Sequence, residues 1–148
     1  MSLSIKIKRI DKSLPLPKYQ TQGSVGFDLY SRKQLTIEPG KIELIPTNLV
    51  VKVPQGYMLT LVSRSSTPRK KGLSKPHAIG IIDQDYCGDN DELLIQMYNF
   101  TSQPVQVDKL DRIAQGIFVP VLKPDFLEVD SLETNSRGGF GSTGQKAS

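Results

Sequence analysis

Only one cysteine, Cys87, and one histidine, His77, occur among the 148 residues. A lone thiol excludes an intrachain disulfide, so packing and hydrogen bonds must hold the fold, and a reducing compartment is expected. The H-x-E and P-C-x-x-C ligand sets of zinc deaminases are absent, and neither His77 nor Cys87 sits in a nucleophile elbow of a Ser-His-Asp or Cys-His hydrolase. No run approaches the ~20 apolar residues of a membrane helix. The N-terminal stretch Met-Ser-Leu-Ser-Ile-Lys-Ile-Lys alternates apolar and charged residues without an unbroken apolar core. It reads as a strand and not as a signal peptide, from which an intracellular, cytoplasmic protein is expected. Room for long helices is also scarce, because twelve glycines and ten prolines punctuate the chain.

What is present has a period of two. Ile5 and Ile7 alternate with Lys6 and Lys8; Leu49, Val51 and Val53 share a face; Tyr57, Leu59 and Leu61 oppose Met58, Thr60 and Val62. Short strands separated by turns such as Glu38-Pro39-Gly40 and Val53-Pro54-Gln55-Gly56 predict an all-β sandwich, jelly roll or small barrel. One polar stretch, Ser65 to Leu73, has room for a helical turn or two, with Pro68 and Gly72 keeping it short. A chain of this length is one domain by prior, and buries roughly 70% of its unfolded surface. The net charge of +4 and pI near 9.2 favour an anionic ligand without choosing among nucleotide, nucleic acid and phosphate.

Three segments carry candidate chemistry. Gly139-Phe140-Gly141-Ser142-Thr143-Gly144 is a literal G-x-G-x-x-G, but only four residues follow it. A dinucleotide fold needs a helix and the rest of a βαβ unit behind that pattern, so here it reads as a glycine-rich tail able to wrap phosphate with backbone N–H groups and hydroxyls. In Ala78 to Gly88 an apolar strand runs into Asp83-Gln84-Asp85-Tyr86. An Asp at the end of a rigid strand suits a positioned general base, although a turn-capping hairpin explains the same residues, and an EF-hand fails at Cys87 and Leu94. Ser63-Arg64-Ser65-Ser66-Thr67 offers a guanidinium fork and hydroxyls for phosphate, or else a solvated basic loop. With one lysine-rich run and no interleaved aromatics, no stable nucleic-acid binding is expected. Asp28, a lone acid in the apolar strand Gly26 to Tyr30, could serve a metal-bound water or pair with a cation.

Together the chain resembles the dUTPase family, the trimeric all-β dUTP nucleotidohydrolases. The resemblance rests on five motifs in the family's order: Gly26-Phe27-Asp28-Leu29-Tyr30-Ser31, Arg64-Ser65-Ser66, Gly80-Ile81-Ile82-Asp83-Gln84-Asp85-Tyr86, Asp111-Arg112-Ile113-Ala114-Gln115, and Arg137-Gly138-Gly139-Phe140-Gly141-Ser142-Thr143-Gly144. Each is weak alone, whereas five in order are specific. The resemblance implies a jelly-roll-like β-barrel over residues 1–135, a homotrimer with shared active sites, and a tail, 136–148, closing over the site within the same domain.

It further implies hydrolysis of dUTP to dUMP and pyrophosphate, with Asp83 activating water for attack on the α-phosphorus and Mg²⁺ clamping the triphosphate. Asp28 would hold the metal through water. Arg64, Ser65, Ser66 and Gln115 would contact phosphates, and Tyr86 would crowd the place of a 2′-OH. Uracil would be read by the backbone of the strand into Asp83, including Gly80 and Ile82. Phe140 would stack on the base, with Arg137, Ser142 and Thr143 at the γ-phosphate and Gly141 among the substrate-binding residues of the tail. Alternatives within the resemblance are a dCTP deaminase sharing the fold and a nucleotide-binding regulator. Three departures from the family stand out. Arg137 lies closer to Phe140 than the family pattern places its arginine, and Cys87 stands where an arginine is common. Asp89-Asn90-Asp91-Glu92 forms an insertion expected to be an exposed acidic hairpin tip.

Overall fold

A computed structural model describes residues 3–140 and residue 142. Its strands are β1 Lys6–Arg9, β2 Phe27–Tyr30, β3 Leu35–Ile37, β4 Ile42–Pro46, β5 Leu49–Lys52 and β6 Tyr57–Ser63. They continue as β7 Leu73–Ser74, β8 Gly80–Ile82, β9 Leu94–Asn99, β10 Val105–Val107 and β11 Arg112–Pro120. Every pairing is antiparallel, and the strands form a four-stranded sheet β2-β11-β6-β8, a three-stranded sheet β4-β9-β7, and the ribbons β1-β5 and β3-β10. This is the expected jelly-roll-like, all-β architecture. Among the described residues no helix is long and apolar enough to cross a membrane.

The alternation seen in the sequence locates the core. Leu59 and Leu61 of β6, Leu29 of β2 and Ile95 and Met97 of β9 lose nearly all contact with solvent, and Ile37, Ile45, Val51, Val107 and Ile113 join them. Burying one such side chain contributes about 1.5–3 kcal/mol. Leu49, Val51 and Val53 share this interior as their spacing predicts. The one helix among the described residues, α1 Thr67–Lys71, is a single turn whose start carries Pro68 and whose end is Gly72 at φ 66°, the left-handed conformation that closes helices. A Cβ at Gly72 would lie 2.2 Å from Thr101 Cγ2, so the cap also permits close packing.

Buried polar groups fasten the turns. Asn99, wholly buried, donates from Nδ2 to the carbonyls of Ile37 and Gln103 and accepts at Oδ1 from the amide and hydroxyl of Thr101. Asn48, at φ 72°, accepts from the Asp11 amide and donates to the Asp11 carbonyl, tying the loop after β1 to the corner before β5.

The acidic insertion differs from its expected form. Asp89 and Asn90 are exposed, but Glu92 turns inward. Its carboxylate accepts from Arg32 Nε and Nη2 at 2.8 and 2.9 Å and from the Asn48 amide at 2.7 Å. A fork-to-fork pair with only 13% of the acid exposed makes this residue an anchor of the connection from β8 to β9, which is no hairpin because the two strands lie in different sheets. Asp91 likewise folds back to accept from the Gly88 amide, while Asp89 pairs with Lys8.

Candidate active site

Strands β2, β6 and β11 bring the first, second and fourth motifs to one end of the four-stranded sheet. Asp28 sits opposite Gln115, and Gln115 opposite Val62, so Asp28 and Gln115 project from the same face. Arg64 follows directly from β6. Its Nε lies 3.3 Å from Asp28 Oδ1, and Arg112 Nε lies 3.6 Å from Asp28 Oδ2. The carboxylate is thus bracketed by two guanidinium groups, with its side chain only 8% exposed. Pairing with cations, one of the two roles open for Asp28, is therefore realised.

Yet Oδ2 is buried and accepts no hydrogen bond. A buried acceptor left unused costs about 1–3 kcal/mol, so it calls for a ligand or ligand-held water. Among the described residues no three His, Cys, Asp or Glu side chains converge as a metal cage. A buried, unused acceptor beside two cations fits an approach to Mg²⁺ through water, since Mg²⁺ commonly keeps several waters. Direct ligation beside two guanidiniums would be repelled.

Gln115 is held over Gly26. A Cβ at that glycine would come within 2.7 Å of Gln115 Oε1, so absence of a side chain there makes room for the amide. Ser65 is exposed, and Ser66 occupies the N-cap of α1 without using its hydroxyl to cap. Both hydroxyls remain available. Below them Lys71 Nζ donates to Asp111 Oδ2 at 2.6 Å, and that carboxylate also accepts from the Asp108 amide. Burial pushes the Asp111 carboxyl up, but the Lys71 and Asp108 hydrogen bonds and the Lys71 charge outweigh it and leave the group below its ordinary value.

The third motif lies elsewhere. β8 pairs with β6 as Leu59 with Ile82 and Leu61 with Gly80, which puts exposed Asp83 one step further on, level with Met58. Arg64 lies beyond the opposite end of β6. At about 3.3 Å per residue the two are ~20 Å apart along the strand, and β8 is three strand spacings, ~14 Å, from β2. One chain does not bring Asp83 to Asp28, Arg64 and Gln115. Asp83 instead borders a cleft of about 140 Å³ lined also by Tyr57, Met58, Ile81, Gln84, Val121 and Lys123. Gln84 Nε2 donates to the Tyr57 carbonyl, fixing the turn after β8. Exposed Tyr86 donates its hydroxyl to the Glu92 carbonyl at 3.2 Å, so the Arg32–Glu92 anchor also steadies this ring.

Gly80 is buried at the start of β8 and Ile82 half-buried at its end. The preceding turn places Ala78 at φ 58° and has the Ile79 amide donate to the His77 carbonyl. Desolvation and the Lys75 charge push the His77 imidazole below its ordinary value, and burial does the same to the Lys75 ammonium.

From Leu122 onward every described residue is exposed. Among the described residues the last backbone hydrogen bond to the barrel is from the Val121 amide to the Gly56 carbonyl. Arg137, Phe140 and Ser142 belong to this exposed run, whereas Gly141 and Thr143 lie outside the described residues.

The whole chain can be set beside known proteins at this point. A family model described as dUTPase matches residues 12–144. The chain belongs to the dUTPase family. It is therefore an enzyme, and dUTP hydrolysis is its reaction. The chain is 41% identical over 132 residues to the deoxyuridine 5'-triphosphate nucleotidohydrolase of Lactococcus lactis, covering 87% of both chains. It is 42% identical to that of Methylocella silvestris, covering 98% of this chain and 94% of the relative. Among solved structures, the dUTPase of Streptococcus mutans superposes with a TM-score of 0.76 at 37% identity, over 81% of this chain and 98% of that one. The Staphylococcus bacteriophage 80alpha dUTPase with dUPNHPP gives 0.86 at 25% identity, over 97% and 99%.

Four residues that the structure uses carry no signal in the sequence pattern, two of them at the site and two in the anchor of the insertion. Arg112 lay inside the fourth motif without a role, and its approach to Asp28 depends on a strand irregularity. Gly26 lacked a role because its partner Gln115 lies 89 positions away. Arg32 and Glu92 are separated by six strands. Only the opposite charges hinted at their pairing.

Proposed function

We propose that copies of this chain assemble as a homotrimer whose shared active sites hydrolyse dUTP to dUMP and pyrophosphate, with Asp83 from one copy facing Asp28, Arg64, Ser65, Ser66 and Gln115 of another. The observation that carries this reading is the separation of Asp83 from Arg64 across the length of β6. A cleft of about 140 Å³ beside Asp83 is also smaller than the ~300–1,000 Å³ usual for small-molecule sites, and a second surface would complete it. Leu122, Phe126, Leu127 and Leu132 are each more than four-fifths exposed in the single chain, an apolar run that a neighbouring copy would cover.

In the assembled site Asp83 takes a proton from water as it attacks the α-phosphorus, and pyrophosphate leaves in line. Arg64, Ser65, Ser66 and Gln115 hold phosphate oxygens, so the attack geometry is set before reaction. Mg²⁺, when bound, supplies neutralisation of the charge that develops on the leaving group, and Asp28 would reach it through water. Backbone groups of β8 at Gly80 and Ile82 present a donor and acceptor pattern suited to uracil and unsuited to the amino group of cytosine. Tyr86, braced on the Glu92 carbonyl, occupies space that a ribose 2′-OH would need. The tail from Ser136 closes over the ligand, with Phe140 on the base, Arg137, Ser142 and Thr143 at the γ-phosphate and Gly141 among its substrate-binding residues. Such an enzyme keeps uracil out of DNA and supplies dUMP for thymidylate synthesis.

Subunit mixing tests the arrangement. Asp83→Asn and Arg64→Gln variants are each inactive alone, and co-assembled one to one they recover roughly a quarter of wild-type turnover, because random assembly pairs intact halves at that frequency. No recovery from mixed assemblies of confirmed composition would show that each site lies within one copy.

A further inference from the structure

We infer that Arg112 is a positioning residue for Asp28, swung onto the carboxylate by a one-residue bulge in β11. Along a regular strand, residues two apart share a face. Ala114 is fully buried against the core, so Arg112 would point there too. The pairing shows why it does not. Leu29 pairs with Ala114 and Tyr30 with Arg112, leaving Ile113 as the extra residue. Ile113 and Ala114 are both buried, and the parity of the strand reverses between them and Arg112. Arg112 therefore shares the face of Tyr30, which by alternation on β2 is also that of Asp28. Bulges of this kind re-aim side chains next to active sites.

The geometry limits what Arg112 can do there. Its Nε stands 3.6 Å from Oδ2, an ion-pair distance, while Oδ2 accepts no hydrogen bond. Arg64 stands 3.3 Å from Oδ1 on the other side. The two cations compensate a buried carboxylate and fix its plane while leaving the lone pairs of Oδ2 free. Because Oδ2 is shut off from solvent, a water carried by the metal and triphosphate reaches those lone pairs as the half-exposed Arg112 guanidinium gives way. With Arg112 gone, Arg64 is the single cation among the described residues still paired with Asp28, and it would draw the carboxylate toward itself and away from that water. Outer partners of this type commonly change metal affinity by about 10–100-fold.

The inference rests on the proposed role of Asp28 toward Mg²⁺, and the experiment separates the two. Mn²⁺ binding to the intact enzyme with a non-hydrolysable dUTP analogue is measured by water proton relaxation, alongside dUMP affinity and turnover at varied Mg²⁺, for wild type, Arg112→Gln, Arg112→Lys and Asp28→Asn. Arg112→Gln is expected to weaken Mn²⁺ binding and raise half-saturating Mg²⁺ about tenfold or more, with dUMP affinity and melting temperature little changed. Arg112→Lys should recover part of the loss. Unchanged metal binding in Arg112→Gln, while Asp28→Asn loses it, would overturn the role of Arg112 alone. Unchanged metal binding in Asp28→Asn would overturn the reading of Asp28. A loss of metal binding, dUMP binding and thermal stability together would show a merely structural arginine.

Discussion

Gly26→Ala should damage catalysis while leaving the barrel intact. Gly26 has no positive φ, so its backbone accepts alanine, and the added Cβ gains about 0.4–1 kcal/mol by restricting the unfolded chain. Against this stands one close approach, 2.7 Å to Gln115 Oε1, with Gln115 Cδ and Ile117 Cγ1 at 3.3 Å. Ordinary contact begins near 3.4 Å, so the amide must retreat by somewhat under an ångström. The Gln115 side chain is half-buried and has a flexible end, which makes that retreat inexpensive for folding. It is expensive for a group that orients phosphate, where a 1 Å misplacement can cost about 10²-fold. The expected result is a melting temperature within a few degrees of wild type and kcat/KM for dUTP reduced by about ten- to a hundredfold. A double-mutant cycle sharpens the test. If the methyl acts only through the amide, Gly26→Ala adds nothing in a Gln115→Ala background, and the two changes are strongly non-additive. Undiminished kcat/KM in Gly26→Ala, or additive losses, would refute the reasoning.

Other outcomes can be measured on the same protein. Glu92→Ala removes the acceptor of Arg32 and of the Asn48 amide and should cost about 2 kcal/mol in urea unfolding; an unchanged midpoint would show the anchor to be idle. Asp111 has a carboxyl lowered in the folded state, so its stabilisation is complete above the unfolded value near pH 4 and disappears as pH falls through the lower folded value. Stability curves for Asp111→Asn should therefore lie below wild type at neutral pH and converge with it in acid, whereas a constant offset would contradict the ion pair. Deleting residues 136–148 should leave sedimentation unchanged and turnover severely reduced, and normal turnover would remove the tail from the mechanism.

Much of this was visible in the residues themselves. Alternation at Leu49, Val51 and Val53 and at Leu59 and Leu61 identified strands because a half-buried sheet imposes that period. Pro68 and Gly72 bounded the helix through backbone chemistry that does not depend on distant partners. Spacing failed where distant contacts decide. Four charged or amide residues, Asp89 to Glu92, look like a solvated tip, and only the fold shows Arg32 and the Asn48 amide waiting for Glu92. The bulge at Ile113 escaped because two adjacent apolar residues fit a regular strand nearly as well. The motifs are legible one by one, but their order along the chain contains no sign that the third lies at the opposite end of β6 from the second.

That opposed placement on β6 has a genetic consequence. An enzyme whose halves meet only between molecules reports on its population of chains, because a copy with a damaged Asp83 still occupies a place beside sound neighbours. Defective alleles of such a gene would act partly dominantly, and two differently defective alleles could each rescue the other.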